Sequence, residues 1–457
     1  MRNIDVLFLV EHVDRELDAV TCIIEKLQSN FGILSDARNY YFDMSYAIGR
    51  YEPKMVVVPF FYGADHLHPI TLVERWPNSR FLNLGWEQIL LKLDVPMKVP
   101  RDETARTRVH HICWTCQHRD FLEHNGVVKD HLHLTGNPVM KFYDHPYKNY
   151  FKSRERLARH HGLDPARKWV LFPENYIFAF LSDQHMRDLA RQQNADLQFL
   201  QKAREYCDRS LRQFFAWAKD LDRENDPIVI LRPRPATTRD QMVQFMRRTT
   251  GMPAASLRII KAETAREWIL AADHVISSFS TTLIEAALAD KMIHMFSPEP
   301  LPDALHSDWH GFVPRLGDRD GFLNAVRQTN VVKTGSALAQ WGRARLFPVG
   351  DSLEAITGVI AQLHAVSASQ ARSFVPDHQR VGTRRIVVEH ARKTIQRWPA
   401  LHSLTRGYAL ASWARTADVF GADDVAARVS RWRVLNAATS PRNFQAKMDR
   451  KPKPIRT

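Results

Sequence analysis

Short apolar runs alternate with amphipathic segments through the first part of the chain. Runs such as IDVLFLV (4–10) and KMVVVPF (54–60) predict buried strands, and the segments between runs have apolar residues at helical spacing. The predicted strands of the first half are 4–10, 54–60, 80–86, 109–115 and 131–137, and its helices are 20–32, 45–51 and 118–126. Strands that alternate with helices are typical of a mostly parallel sheet covered by helices.

A polar, aromatic stretch at 144–156 interrupts this pattern, and a second series then begins. Its predicted strands are 169–175, 227–235, 257–263, 274–280 and 292–296, and its helices are 203–221, 239–250, 265–273 and 282–289. Two such series joined by a linker predict an α/β protein with two Rossmann-like domains, residues 1–150 and 151–365, facing a cleft. Ligands of such sheets bind beyond the carboxyl ends of the strands, which here meet at the cleft.

The strand pattern ends near residue 365, so residues 366–457 are predicted to form a helical extension. Helices are expected at 384–398, 404–420 and 423–436, followed by a disordered tail. Residues 371–457 contain 18 Lys and Arg against 6 Asp and Glu, which is +12 of the chain's +14. This basic extension suits the anionic lipid of an inner membrane leaflet. It has no nucleic-acid recognition motif, so nucleic acid is not expected as a partner.

Several protein classes are disfavoured by the rest of the sequence. No run of about 18 apolar residues is present, and the apolar run at the N-terminus is too short for a signal peptide. We therefore expect a cytoplasmic protein, held peripherally at the inner face of the membrane by its extension. The four cysteines do not suggest a disulfide framework, and the single pair Cys113 and Cys116 is too few for a structural zinc site.

The stretch SSFSTTLIEAALADK (277–291) carries the strongest chemical signal. A predicted strand ends in a loop of hydroxyl residues that opens onto an apolar helix, and free amides at a helix start attract anions. Glu285, about one turn into the helix, is placed to reach a sugar hydroxyl. The loop predicts a site for a phosphorylated nucleoside, the alternative being a plain helix cap. Its donor-binding candidates are Ser277, Ser278, Ser280, Thr281 and Thr282.

A second anion site is predicted at LRPRPATTRD (231–240), where another strand ends. The flanking prolines project Arg232 and Arg234 towards the cleft, and the planar guanidinium suits phosphate. Because both loops follow strands of the second domain, they are expected to converge on one ligand. In FPENYIFAF (172–180), Asn175 and Tyr176 are candidates for contact with a base or sugar, although the aromatic residues also suit domain packing.

Catalytic candidates come from the first domain. Glu87 in NLGWEQ (83–88) follows a strand and is a candidate general base or nucleophile. Asp65 and His66 of PFFYGADH (59–66) compete with it, as do Glu11 and His12, and the sequence does not rank the three. Gly136 and Asn137 of the turn TGNP (135–138) are predicted to line the cleft or form a hinge.

These motifs resemble two nested families. SFSTTLIEAALADK resembles the loop-helix motif of GT-B glycosyltransferases, and this likeness implies that Glu285 meets the donor ribose. More narrowly, NLGWEQ, CWTCQHRDFLEHNGV, LHLTGNPVMKF, FPENYIFAF and LRPRP follow the order of the bacterial surface-carbohydrate biosynthesis proteins, which include the Kdo transferases of capsule and O-antigen (lipopolysaccharide) assembly. In related enzymes that use CMP-sugars or CDP-alditols, a histidine usually stands at the position of Arg234.

The resemblance implies a GT-B glycosyltransferase that moves a sugar from a nucleotide-activated donor, with a CMP-linked sugar among the candidates. The acceptor would be a growing surface polysaccharide or a lipid-linked glycan. No DxD-like metal motif stands at a suitable strand end, so no metal or other cofactor is expected, and arginines with helix amides would meet the leaving-group charge. Two alternatives stay open: a sugar-nucleotide epimerase of the same fold, and a non-catalytic regulator that binds nucleotide-sugar or glycan.

Overall fold

The computed structural model describes residues 4–64, 67–193, 196–221, 223, 226–235, 237–251, 254–328, 334–366 and 419–439. Two parallel sheets form its core. The strands of the first sheet are β1 (Val6–Val10), β2 (Ser35–Asn39), β3 (Met55–Val58), β4 (Arg80–Asn83), β5 (Val109–Cys113) and β6 (Leu132–Leu134). The strands of the second are β7 (Trp169–Pro173), β8 (Ile228–Arg232), β9 (Leu257–Ile259), β10 (His274–Ser277), β11 (Met292–Phe296) and β12 (Arg315–Leu316).

The order of strands is doubly wound in both sheets. The first sheet runs β2-β1-β3-β4-β5-β6 and the second runs β12-β11-β10-β7-β8-β9, with every pair parallel. Helices cover the faces of the sheets, so β1, β7 and β8 are buried at every residue. That double burial explains why these strands are continuous apolar runs rather than alternating ones.

Helices connect the strands and complete the chain. In the first half they are α1 (Asp18–Phe31), α2 (Met44–Arg50), α3 (Leu67–Arg75), α4 (Glu103–Thr107) and α5 (Cys116–His124). The second half contains α6 (Arg154–His161), α7 (Asp183–Gln193), α8 (Leu197–Ala218), α9 (Arg239–Thr250), α10 (Ala265–Ala271), α11 (Thr282–Leu288), α12 (Arg319–Arg327), α13 (Ser336–Leu346), α14 (Ser352–Ala365) and α15 (Ala422–Thr439). Among the described residues, no helix is both long and apolar enough to cross a bilayer.

The predicted α/β class with two Rossmann-like sheets is confirmed. All ten predicted strands are present, and the two strands that the sequence pattern missed lie at sheet edges. β2 has the polar sequence SDARN and is held by pairing with β1 along its whole length, so backbone hydrogen bonding rather than an apolar period defines it. β12 is only two residues long, which is too short to produce a pattern.

The end of the described chain returns to the first domain. α14 packs on α1, where Lys26 forms an ion pair with Glu354, and His364 Nε2 lies 3.1 Å from Asp5 Oδ1. α15 also packs on α1 and confirms the helix predicted at 423–436. The predicted helix at 384–398, nearly all of the one at 404–420 and the predicted disordered tail lie outside the described residues.

α15 is attached through one large aromatic contact. The fully buried Trp432 stacks 3.7 Å from the ring of Tyr150 and 5.3 Å from that of Phe142, both from the segment between the two sheets. Its indole nitrogen donates to the Asp18 carbonyl at 3.0 Å. The helix therefore joins α1 to the inter-domain segment.

Candidate functional site

The loop after β8 is held rigidly by its backbone. The Arg234 amide donates to Glu174 Oε2 at 3.1 Å, and Lys261 Nζ donates to the carbonyls of Arg234 and Pro235. The Arg234 side chain is half-buried, and its Nε is enclosed without a hydrogen-bond partner among the described residues. A buried donor without a partner is costly, so the guanidinium of Arg234 is the group of this loop that a ligand would satisfy.

Arg232 has a different role from the one its position predicts. It is buried, donates to the Glu263 carbonyl at 2.6 Å, and pairs with Asp14 Oδ2 at 2.6 Å across the cleft. Asp14 follows β1 of the first domain, so the charge of Arg232 is already neutralised by protein. In this structure Arg232 joins the two domains, and its contact with a phosphate stays a prediction.

The hydroxyl loop is only partly open to the cleft. Ser277 is fully buried and donates to the Pro173 carbonyl at 2.6 Å, and the buried Ser278 hydroxyl lies beside that of Tyr176. Both predicted ligand hydroxyls are thus enclosed in the interior of the second domain. The half-buried part of the loop is Ser280, Thr281 and Thr282.

This remaining loop is short and internally bonded. Ser280 Oγ accepts from Thr282 Oγ1 at 2.9 Å, and α11 begins at Thr282 with Thr281 at its cap. β7 lies between β8 and β10 in the sheet, and its end is bonded to both neighbouring loops through Pro173 and Glu174. The arginine loop and the hydroxyl loop consequently lie at one sheet edge, two strand spacings (about 10 Å) apart.

Glu285 lies towards the inter-domain segment. Its Oε2 accepts from the Tyr143 hydroxyl at 2.6 Å, and Tyr143 is buried. Burial raises the pKa of Glu285 above its ordinary value, while Arg266, the Tyr143 hydroxyl and Arg232 oppose the rise. The carboxylate is half-buried rather than sealed, and its contact with a ribose stays a prediction.

Tyr176 belongs to the core of the second domain. It is 0% exposed, and its ring lies 6.4 Å from both Phe172 and Phe279. The expectation that it contacts a base or sugar is thus corrected, because the loop turns this ring inward. Asn175 is half-buried, and its side chain has no hydrogen bond to the described part of the chain.

Glu174 is a site residue that sequence reasoning missed. It is buried, accepts from the Tyr176 amide through one oxygen and from the Arg234 amide through the other, and so fixes both loops. The sequence did contain a signal for this residue, because Glu174 stands directly after the buried strand β7, at the end where ligands bind. Its structural role depends on the Arg234 loop, which is 60 residues away.

Glu87 is bound by two cations. Arg15 Nη1 lies 2.7 Å from one carboxylate oxygen and Lys98 Nζ lies 2.8 Å from the other. Burial acts to raise the pKa of Glu87, but Lys98 and Arg15 outweigh it and hold this pKa well below its ordinary value. A carboxylate with so low a pKa is a weak proton acceptor, so its predicted role as general base is disfavoured. Asp65 and His66 lie outside the described residues.

Arg15 was not predicted as a site residue, but it forms ion pairs with several carboxylates beyond the end of β1. Besides Glu87, it pairs with Glu11 at 2.9 Å and Glu16 at 2.8 Å. His12 Nε2 lies 3.8 Å from Glu11. The first domain therefore presents a dense ion-pair network, and not an isolated carboxylate, to the cleft.

The TGNP turn contacts the returning chain. Gly136 has a left-handed φ of 83°, and a side chain there would collide with Ser352 and with the Leu346 carbonyl. The Asn137 amide donates to that same carbonyl at 2.9 Å, and its side chain accepts from the Val139 amide. These two residues join the first sheet to the segment between α13 and α14.

One group of metal-ligand type occurs within the described residues. Glu263 accepts hydrogen bonds from His160 at 2.8 Å and His161 at 2.6 Å. The Lys152 ammonium also lies 3.1 Å from the same carboxylate. Since that ammonium already supplies a positive charge, the cluster is built as an ion-pair network, and no step of the chemistry is assigned to it.

No protein-family model and no curated protein sequence matches the chain. Among solved structures, a histidine-to-asparagine variant of the wall teichoic acid polymerase TagF is similar, with 12% identity over 79% of this chain and 89% of that one, and a TM-score of 0.50. S. aureus MnaA in complex with UDP has 11% identity over 79% and 96%, with a TM-score of 0.48. UDP-N-acetylglucosamine 2-epimerase from Rickettsia bellii has 13% identity over 80% and 97%, with a TM-score of 0.46.

At these identities the similarity concerns the fold. The chain has the GT-B fold, with two parallel six-stranded sheets facing a cleft, as the resemblance in the sequence implied. The narrower likeness to the Kdo transferases stays a prediction.

Proposed function

We propose that the protein is a glycosyltransferase of surface-carbohydrate assembly, which moves a sugar from a nucleotide-activated donor to a glycan or lipid-linked acceptor. The observation that carries the proposal is Arg234. Its guanidinium stands at the cleft edge of the second sheet on a rigid loop, with an enclosed donor that no described residue satisfies. The GT-B fold, shared with a teichoic acid polymerase, is consistent with this role.

In the proposed mechanism, Arg234 meets the negative charge that develops on the leaving phosphate. The hydroxyls of Ser280 and Thr282 lie at the same sheet edge and would bind neighbouring phosphate or ribose oxygens, while Glu285 would accept from a ribose hydroxyl. Fixed donors of this kind act on the transition state without reorganising. The proposed donor is a nucleotide-linked sugar, and a CMP-linked sugar is one candidate.

Incubation with a panel of sugar nucleotides tests the proposal. CMP-, CDP-, UDP-, GDP- and dTDP-linked donors are supplied with and without a membrane extract as acceptor source, and nucleotide release and sugar-nucleotide identity are followed by chromatography and NMR. Nucleotide release that depends on acceptor supports transfer. Conversion of one sugar nucleotide into its epimer without acceptor would instead establish an epimerase, and binding without turnover would establish a regulator.

The proposed peripheral attachment to an anionic membrane depends on the extension at 371–457. Within its described part, all three arginines of α15 are engaged by the first domain: Arg428 pairs with Asp18, Arg431 donates to the Tyr150 carbonyl, and Arg433 donates to Gln28 at 3.1 Å. The proposal therefore assigns lipid contact to the other cations of the segment. Flotation with anionic liposomes tests it. A truncation after residue 439 removes six of those fifteen Lys and Arg residues and should weaken binding, and replacement of the nine others, between residues 372 and 415, by glutamine in the same variant should abolish it.

A further inference from the structure

A cavity of about 610 Å³ lies between the two domains, beside the donor site. One wall is the loop after β4 together with the start of α5, at residues 88–95 and 115–121. The other is the segment 303–308, which follows β11, and Trp341 and Arg345 of α13 complete the lining. The cavity therefore exists only when both domains and the returning α13 are assembled.

The two walls are held at a fixed distance by bonds across the cleft. The Leu93 amide donates to the Ala304 carbonyl at 2.9 Å, and the Lys92 amide donates to the His306 carbonyl at 3.2 Å. The Leu93 side chain is buried within the core of the second domain. A cavity with bonded walls is preformed, which reduces the entropy lost when a ligand binds.

The cavity lies at the sheet edge that carries the donor loops. β10 and β11 are parallel neighbours, paired from His274 with Met292 to Ser277 with Met295, so the chain leaves both strands at the same edge. The hydroxyl loop follows β10, and the cavity wall at 303–308 follows β11. A molecule in the cavity would therefore lie at the same edge of the second sheet as a donor held by the two loops.

The lining of the cavity combines aromatic side chains with the guanidinium of Arg345, which is held in place by hydrogen bonds. Trp341 and Phe121 both line the cavity, and the Arg345 guanidinium lies 5.2 Å from the centre of the Trp341 ring. Arg345 Nη1 also lies 2.7 Å from Asp308 Oδ2 and 2.7 Å from Gln117 Oε1. An aromatic face suits the apolar C–H face of a sugar ring, and adjacent donors and acceptors suit its hydroxyls.

The charges of the lining cancel. Lys92 pairs with Asp303, and Arg345 pairs with Asp308, so each cation has its own carboxylate. Burial lowers the pKa of His118 to about 3, which keeps this imidazole neutral at physiological pH. The cavity accordingly lacks the uncompensated cation that a phosphate group requires, in contrast to the loop of Arg234.

We propose that this cavity binds the neutral, hydroxyl-rich end of a glycan as the acceptor, with the sugar ring against Trp341 and its hydroxyls on Arg345 and Asp308. The assignment to the acceptor rests on the proposed glycosyltransferase function. It excludes an anionic polyol phosphate as the group held in this cavity.

Saturation-transfer NMR tests the proposal on the full-length protein. The probes are neutral oligosaccharides of glucose, mannose, rhamnose and N-acetylglucosamine, with glycerol 3-phosphate as the anionic comparator. Wild type should bind at least one neutral oligosaccharide, and any binding of glycerol 3-phosphate, which the loop of Arg234 can hold, should be the same in the Trp341 and Arg345 variants. Trp341→Ala and Arg345→Gln should each weaken the binding of the neutral oligosaccharide at least tenfold. Arg343→Gln is the matched control, because Arg343 lies on the same helix but pairs with Asp144 and does not line the cavity.

A nucleotide thermal-shift measurement on every variant separates the two proposals. An unchanged shift in Trp341→Ala and Arg345→Gln shows that the fold and the donor site are intact. Glycerol 3-phosphate binding that is lost in Trp341→Ala or Arg345→Gln, or neutral-glycan binding that is absent or equal in all variants, overturns the cavity assignment. If neutral glycans bind as expected but no nucleotide binds the wild type, the glycan site stands and its role as the acceptor site of a transferase fails.

Discussion

Replacing Arg234 by alanine removes a charged donor from the cleft without removing what shapes its loop. The loop is held through the Arg234 amide on Glu174 and the Arg234 and Pro235 carbonyls on Lys261, and none of these bonds uses the side chain. The substitution also removes an enclosed Nε that has no described partner. We therefore expect the melting temperature to stay close to that of the wild type.

The effect on turnover follows from the role of the guanidinium. One preorganised donor to a developing negative charge is worth about 3 kcal/mol of activation energy. Because about 1.4 kcal/mol corresponds to a factor of ten, kcat should fall about 100-fold. Arg234→Lys keeps the charge but loses the planar fork, so it should recover only part of this loss.

Initial rates of acceptor-dependent nucleotide release measure the effect at saturating donor. Arg248→Ala is the matched control, since Arg248 lies exposed on α9 of the same strand-helix unit. The control should retain wild-type kcat. Wild-type turnover in a folded Arg234→Ala protein would refute the assignment of Arg234 to the leaving group.

Three further predictions concern ribose recognition, packing and pH. Glu285→Ala should weaken ribonucleotide binding about tenfold in calorimetry, as expected for loss of a hydrogen bond to a charged group, and leave a 2′,3′-dideoxynucleotide unaffected; equal losses would exclude ribose contact. Gly136→Ala should lower the free energy of unfolding by about 3 kcal/mol in urea titrations, because its φ of 83° and the Leu346 carbonyl 2.6 Å from the new Cβ both oppose it; unchanged stability would refute this. Burial lowers the pKa of three enclosed histidines to about 3–4, so the unfolded chain binds more protons below pH 6.5. The three histidines are His111, His118 and His310. The free energy of unfolding should therefore be highest above pH 6.5 and should be lower at pH 5 by about 2 kcal/mol per histidine. Urea titrations at a series of pH values measure this, and a free energy of unfolding that does not change with pH would contradict it.

Local pattern was sufficient for most of the secondary structure. Strands such as β1 and β8 are buried on both faces, and that burial requires an apolar residue at every position, which is visible in the sequence without any knowledge of neighbours. β2 was not predicted from the sequence, because it is stabilised by pairing with β1 and its own residues show no apolar pattern. The α/β class and the position of the arginine and hydroxyl loops at strand ends were therefore predictable.

The state of each site residue was decided by contacts between distant parts of the chain. Arg232 and Arg234 are two residues apart in one motif, yet Arg232 is neutralised by Asp14, 218 residues away, while Arg234 keeps an unsatisfied donor. Similarly, Ser277 is buried by its bond to Pro173, and Glu87 is held by Arg15 and Lys98. A motif determines which groups stand at a strand end, but only the packed fold determines which of them face a partner within the protein and which face the cleft.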